Sequence, residues 1–241
     1  MLLISACVSF SSISTKQNAK TWVGAAVKSP LILGNDIRKV PAKDLAILSN
    51  TAVIVVNQDP SGSSAARRWI YSTKSSDAYG GSAIQLWSGS LESTTGGTYN
   101  DMVVLLINGA NESMVLNATL ADIFIDNGPS GTAPEVKLSW EVRDLWANRM
   151  SEAEAQAIID GSTATGNATN GYNATTVGSG RYNATKTSYA QGLKNNDTLL
   201  LGNVTTTVAP SGTVTATVDA HGAALFRLRA LNTGMRKRDE L

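Results

Sequence analysis

Cysteine and histidine are nearly absent: one of each occurs in 241 residues. Cys7 alone closes no intrachain disulfide and supplies no cysteine cluster for a metal. His221 alone leaves no His-rich zinc site and no two-histidine zinc helix, so no metal is expected. Charge of either sign is also scarce in excess: 20 basic residues face 19 acidic ones, a formal net charge of +1. That balance offers a polyanion nothing, and nucleic acid is not expected as a partner. No apolar run reaches the roughly 20 residues a bilayer span requires, so no membrane is expected either. Glycine-rich phosphate loops and dinucleotide fingerprints are missing, and no cofactor is expected. Hydrolytic chemistry, if present, falls to carboxylates.

What is present is a chain that changes character partway along. From Lys16 to Lys28 the pattern is helical, with Trp22, Ala25 and Ala26 on one side, and Pro30 ends it. Leu31-Ile32-Leu33 is a continuous apolar run, as in a strand buried on both faces of a parallel sheet. Gly34-Asn35-Asp36 turns the chain. A helix follows with Pro41 at its start, Leu45 and Leu48 on one face, and Asn50 to close its C-terminus. This is one βα unit preceded by one helix.

After Val53 the pattern is all-β, with short strands between turn signals. Strands are expected near Val53–Asn57, Arg68–Ser72, Ala83–Trp87, Met102–Ile107, Ser113–Leu116, Leu120–Ile125, Val136–Val142, Leu199–Val208, Thr213–Val218 and Ala223–Arg229. Asn108-Gly109 reads as a hairpin turn, because both residues tolerate positive φ. Thr213 to Val218 alternates threonine with valine or alanine, a half-buried strand. Ser151 and Glu154 spell a capping box for a short helix ending at Asp160-Gly161. From Gly161 to Asp197 the chain is rich in Gly, Ser, Thr, Asn and Ala and reads as a long surface loop.

Asn-x-Ser/Thr glycan acceptors occur at Asn111, Asn117, Asn167, Asn173, Asn183, Asn196 and Asn203, pointing to a secretory-pathway protein. Met1 to Phe10 is apolar, without a basic residue before it. It reads either as a secretory signal or as the chance start of a gene whose upstream part is lost. Arg238-Asp239-Glu240-Leu241 resembles the endoplasmic-reticulum retrieval signal, with a solvated tail as the alternative. Secretion is the expected destination, retention in that lumen the other.

Retaining glycoside hydrolysis needs two carboxyl groups about 5–5.5 Å apart. The acids available are Asp36, Asp59, Asp77, Asp101, Asp122, Asp126, Asp144, Glu92, Glu135 and Glu141. Only Asp36 stands at the C-terminal end of a barrel-type strand, where barrel enzymes place their chemistry. Asp59, before Pro60, reads as a turn residue. Trp69, Trp87, Trp140 and Trp146 are large enough to stack on sugars, but packing is their expected role. His221, at the turn before the final strand, is expected to make a structural hydrogen bond.

Two stretches, Lys28–Arg38 and Val53–Pro60, resemble the junction in family 27 retaining α-galactosidases where a (β/α)8 barrel passes into a C-terminal β-sandwich. Ala83–Leu91, Val142–Trp146 and Ala220–Ala223 resemble the sandwich itself, and residues 151 to about 196 resemble its enlarged fungal form. The resemblance implies a mainly β fold: an antiparallel sandwich preceded by the last helix-strand-helix of a barrel. It divides the chain into a non-matching apolar leader (1–15), a barrel remnant (16–52), a sandwich (53–232) with a glycan-acceptor-rich insertion (about 151–197), and a basic tail (233–241). It further implies removal of terminal α-galactose from galacto-oligosaccharides and galactomannans, with a galactoside as substrate, through two aspartates and no metal. Both aspartates and the galactose-holding residues of the family precede the matched region. No catalytic or substrate-binding residue is therefore assigned here. A complete barrel takes about 250 residues by itself. The expectation is a truncated α-galactosidase, inactive alone. A non-catalytic sandwich that binds carbohydrate or a protein partner is the alternative, and an enzyme with a new carboxylate pair the third possibility.

Overall fold

The structure, a computed structural model, describes residues 6–8, 23–33, 39–61, 63–72, 83–95, 97–125, 133–164 and 181–231. Trp22, Asp36, Asp77, Asp126, Asn167, Asn173 and the Arg238–Leu241 tail lie outside them.

The chain opens with strand β1 (Ala6–Val8), helical turn α1 (residues 23–26) and strand β2 (Leu31–Leu33). β1 and β2 pair in parallel, Ala6 opposite Leu31 and Val8 opposite Leu33. The apolar run of β2 thus finds its partner in the leader rather than in the sandwich. Helices α2 (Ala42–Leu48) and α3 (Thr51–Asn57) follow.

The body is a six-stranded antiparallel sheet in the order β3-β4-β5-β10-β7-β8. Its strands are β3 (Ala66–Ser72), β4 (Ala83–Leu91), β5 (Asp101–Asn108), β7 (Trp140–Asp144), β8 (Asn203–Val208) and β10 (Ala223–Ala230). A two-stranded antiparallel layer, β6 (Met114–Thr119) with β9 (Thr213–Val218), covers one face.

β5 explains the layering. Side chains alternate across a strand, so Met102, Val104 and Leu106 enter one core with Leu116, Ala118, Val214 and Val218 of the covering layer. Val103 and Leu105 enter a second core on the opposite face, with Ala25, Ala26, Ala52, Val53 and Val56. A strand apolar on both faces needs both covers. Each fully buried leucine is worth about 1.5–3 kcal/mol of transfer free energy.

Several expected strands are helical. Val53–Asn57 belongs to α3, although β-branched residues are poor helix formers. The cap decides the local choice: Asn50 Oδ1 accepts the N–H groups of Ala52 (3.1 Å) and Val53 (3.4 Å). Asn50 therefore starts α3 rather than closing α2. Burying Ala52, Val53 and Val56 against the sheet outweighs a propensity penalty of a few tenths of a kcal/mol per residue. Residues Leu120–Ile123 form α4 behind a Thr119–Asp122 capping box. Pro134–Lys137 is a 3-10 turn with proline at its start, and the strand begins only at Trp140. Thr198–Leu201 is helix α7, capped by Asp197, before β8.

The expected surface loop is also partly structured. The Ser151–Glu154 box is present, with Glu154 Oε2 accepting from Ser151 N–H (2.8 Å). Helix α5 continues past Asp160 to Ala164, and α6 occupies Tyr189–Lys194. Ala155 of α5 packs on Ala42 and Ala46 of α2, while Leu200 and Leu201 of α7 are fully buried. Asn108-Gly109 is not a hairpin turn: the chain leaves the large sheet there and enters the other layer. Buried Asn108 anchors that corner, donating to the carbonyls of Glu112 (2.8 Å) and Val218 (2.9 Å) and accepting from Ala110 N–H (2.9 Å).

Candidate functional site

The two stretches that mark the junction in sequence meet in space through Lys28 and Asp59. Lys28, at φ 53°, turns the chain between α1 and β2. Its Nζ donates to the Asp59 carbonyl, Asp59 Oδ1 and Ser61 Oγ, each at 3.2 Å. Asp59 also accepts from Ser61 N–H (3.0 Å) and, through both carboxylate oxygens, from Glu92 N–H (3.1 and 3.0 Å). Both side chains are buried, at 8% and 4% exposure. Asp59 thus holds the end of α3 to the end of β4, a clamp rather than a free acid. Close backbone packing reinforces it: Ala65 N–H donates to the Ala26 carbonyl (3.0 Å), and Gly89 leaves no room for a side chain beside Ala65.

Further along the same face of the sheet lies a cluster of buried charge. Arg227 and Arg229 alternate on β10 and so project on one side. Arg227 Nε donates to Asp101 Oδ2 (2.7 Å) and Nη2 to the Glu92 carbonyl (3.1 Å), while Thr94 Oγ1 donates to the same Asp101 oxygen (2.7 Å). Arg229 reaches Glu141 (3.5 Å) and donates to Asn196 Oδ1 (2.7 Å). Arg143 donates to Glu141 Oε1 (2.6 Å) and the Gly202 carbonyl (3.1 Å). Burial, followed by the Arg143 charge, pushes the Arg229 guanidinium down from its ordinary value. Asp101 Oδ1, Arg227 Nη1 and Arg229 Nε are buried without a hydrogen-bond partner.

A cleft of about 830 Å³ opens between α3, α6, the Glu92–Thr95 segment and Arg227. Ile54, Val55 and Leu193 give it an apolar wall, and Tyr189 and Lys194 stand exposed on α6.

Among the described residues, Asp122 and Asp144 are candidate acids with local duties. Asp122 completes the α4 capping box, and Asp144 Oδ1 accepts from Trp146 N–H (2.8 Å). Burial raises the Asp144 carboxyl, against the Trp146 hydrogen bond and the Arg149 charge, which lower it. Glu135 lies in the 3-10 turn, where its carbonyl accepts from the Trp140 indole (2.9 Å). No group of three or more potential metal ligands occurs among the described residues. No helix among them is long and apolar enough to cross a membrane.

The tryptophans among the described residues pack. Trp140 is fully buried against Phe124 (centroids 4.6 Å apart), and Trp69 borders the same core. Trp87 and Trp146 border the second core, with Arg67 and Arg149 over their rings. His221 holds the turn through its backbone: at φ 55° its N–H donates to the Ala110 carbonyl (3.1 Å).

Among the glycan acceptors, Asn111 and Asn117 are exposed, Asn117 accepting from Thr215 Oγ1 (2.8 Å). Asn183 forms a local turn with Thr185, Asn196 holds Arg229, and Asn203 exchanges two 2.8 Å amide hydrogen bonds with Asn148. Sequence reasoning did not single out Arg227, Arg229, Tyr189 or Lys194. The alternation Phe-Arg-Leu-Arg at Phe226–Arg229 carried a signal, since two charges of one sign on one strand face demand partners.

The fold is a two-layer antiparallel sandwich with helices packed on the outer face of its larger sheet. Residues 81–177 match the family model described as the α-galactosidase C-terminal β-sandwich domain. The α-galactosidase of Saccharomyces paradoxus is 42% identical over 215 residues, covering 89% of this chain and 41% of that protein. The one from Lachancea cidri is 42% identical over 205 residues, covering 85% and 39%. The solved α-galactosidase of Saccharomyces cerevisiae superimposes with a TM-score of 0.76 at 36% identity, covering 92% of this chain and 45% of that one. The chain therefore corresponds to the C-terminal portion of the yeast-type α-galactosidases and spans about two fifths of their length.

Proposed function

We propose that this chain is the sandwich-bearing part of an α-galactosidase, which supports hydrolysis of terminal α-galactosides only when joined to a catalytic barrel. The observation that carries this reading is the second core. Ala25, Ala26, Ala52, Val53 and Val56 from before the sandwich bury themselves on Val103, Leu105 and Leu225 of the sheet. The Lys28–Asp59 clamp holds the same boundary. A barrel continued from these elements would move as one body with the sandwich. One solved relative is described with raffinose, which makes a galactoside the natural substrate to test.

The purified chain should not hydrolyse a chromogenic α-galactoside. Co-expression with the segment of a yeast relative that precedes the matched region should restore turnover. Hydrolysis by the chain alone that vanishes in Asp36→Asn would overturn the reading, as would failure of a folded co-purifying complex to turn over substrate.

Passage through the secretory pathway is part of the same proposal. Glycopeptide mapping after expression in a secreting yeast should find glycan on exposed Asn111 and Asn117. Asn203 should stay bare, since its amide is held by Asn148. An entirely unmodified secreted protein would count against this routing.

A further inference from the structure

We propose that the apolar leader acts as an internal plug: its strand β1 takes the edge of β2 on which a preceding barrel strand would pair, and so excludes that strand until the leader is displaced. The identity of the excluded strand rests on the barrel reading above; the occupied edge rests on the fold alone. β1 and β2 pair in parallel, Ala6 with Leu31, Cys7 with Ile32 and Val8 with Leu33. A parallel pair needs a crossover of a dozen or more residues, usually carrying a helix. Residues 9–30 supply the length, and α1 at residues 23–26 the helix. Such crossovers are right-handed in about 98% of cases. Whichever strand feeds α1 therefore lies on the same edge of β2. The leader and a barrel strand entering α1 from upstream compete for one row of backbone hydrogen bonds.

The sandwich itself holds β2 ready for a partner. Asn57 Nδ2 donates to the Ser29 carbonyl (2.9 Å), and the Lys28–Asp59 clamp grips the residue before it. Ala25 and Ala26 of α1 are fully buried in the second core. Among the described residues no third strand joins the pair, and Leu31 stays 39% exposed. Parallel sheets are normally covered on both faces, and two strands by themselves are marginally stable in water. β1 is thus a weak partner whose advantage is its tether. A segment linked within one chain acts at a concentration on the order of 1 mM, so a separate barrel segment supplied at about 0.1 mM starts roughly tenfold behind. Deleting the leader removes that competitor and leaves α1, β2 and the clamp in place.

Two measurements test this. Paired residues on neighbouring strands lie about 4.8 Å apart, inside the Cα separation of about 4.4–6.8 Å that a disulfide spans. Ile32→Cys in the full chain, where Cys7 is the one native cysteine, should therefore form an intramolecular disulfide under mild oxidation, located by peptide mapping, and should not form it in urea. The second measurement is capture of a tagged barrel segment from a yeast relative. The chain lacking residues 1–15 should capture about tenfold more of it than the full chain, and the oxidised Ile32→Cys chain least of all. Free thiols in the folded, oxidised variant overturn the proposal, and so does equal capture with and without the leader. Capture by neither chain while the disulfide forms counts against the barrel reading and leaves the pairing of the leader standing.

Discussion

Asp101 and Arg227 show how a buried charge is tolerated: each side chain is 1% exposed, and they meet at 2.7 Å with Thr94 and the Glu92 carbonyl filling further valences. Removing one partner strands the other. Asp101→Ala should lower unfolding stability by about 3–5 kcal/mol, read from urea midpoints, far more than Asp122→Ala at an exposed cap. Asp44 gives a pH-dependent counterpart. It is 1% exposed, and burial raises its carboxyl pKa, with Lys43 opposing and Glu152 adding to the rise. The folded chain therefore keeps this proton to higher pH than the unfolded chain. The resulting stability is complete below the unfolded value of 3.8 and is lost as pH climbs through the folded value. Asp44→Asn removes that loss, so its stability relative to the parent should rise with pH above 3.8 and then level off. A difference independent of pH would refute the assignment.

At the level of elements, α3 is held by a single well-placed amide. Asn50 caps it and also donates to the Leu145 carbonyl (3.0 Å), linking the helix to the sheet. Asn50→Ala should cost about 1 kcal/mol for the cap and speed hydrogen exchange at Ala52 and Val53 before the sheet amides respond. Gly89 makes a complementary case. A Cβ there would lie 2.7 Å from Ala65 Cα, so Gly89→Ala must push the sheet from the segment that leads into it. Loss of protection should then appear first at Ala65, whose N–H bonds to Ala26. Thr213–Val218 was legible because alternation along one strand reports a half-buried face directly. Val53–Asn57 was misread because its composition suits a strand, while the cap and the sheet beneath it impose a helix. The strand expected at Leu120–Ile125 and the first residues of the one expected at Leu199–Val208 are helical for the same reason, Thr119 and Asp197 being caps that outweigh a short apolar run, while Asn203–Val208 is the strand expected.

Over the whole molecule, β5 is the common wall of two cores, and neither core is complete without it. Leu105→Ala opens a cavity on the helix side and Leu106→Ala one on the covering side. Each should cost about 2–5 kcal/mol. Because a single strand carries both, the two variants should each shift one shared transition, with tryptophan fluorescence and far-ultraviolet dichroism coinciding. Separate transitions in the Leu105→Ala protein would show that the helices and the sandwich unfold independently. The scarcity of histidine and cysteine, the even charge and the strand-and-turn rhythm were properties of residues and near neighbours. The chain order alone was enough to establish them, together with the likeness at Lys28–Arg38 and Val53–Pro60. The clamp between Lys28 and Asp59, the arginine cluster behind Asp101 and the cleft lined by Tyr189 and Arg227 came from folding. Each joins residues 31 to 135 positions apart, and contacts of that span are set by which layers the burial of apolar surface brings together.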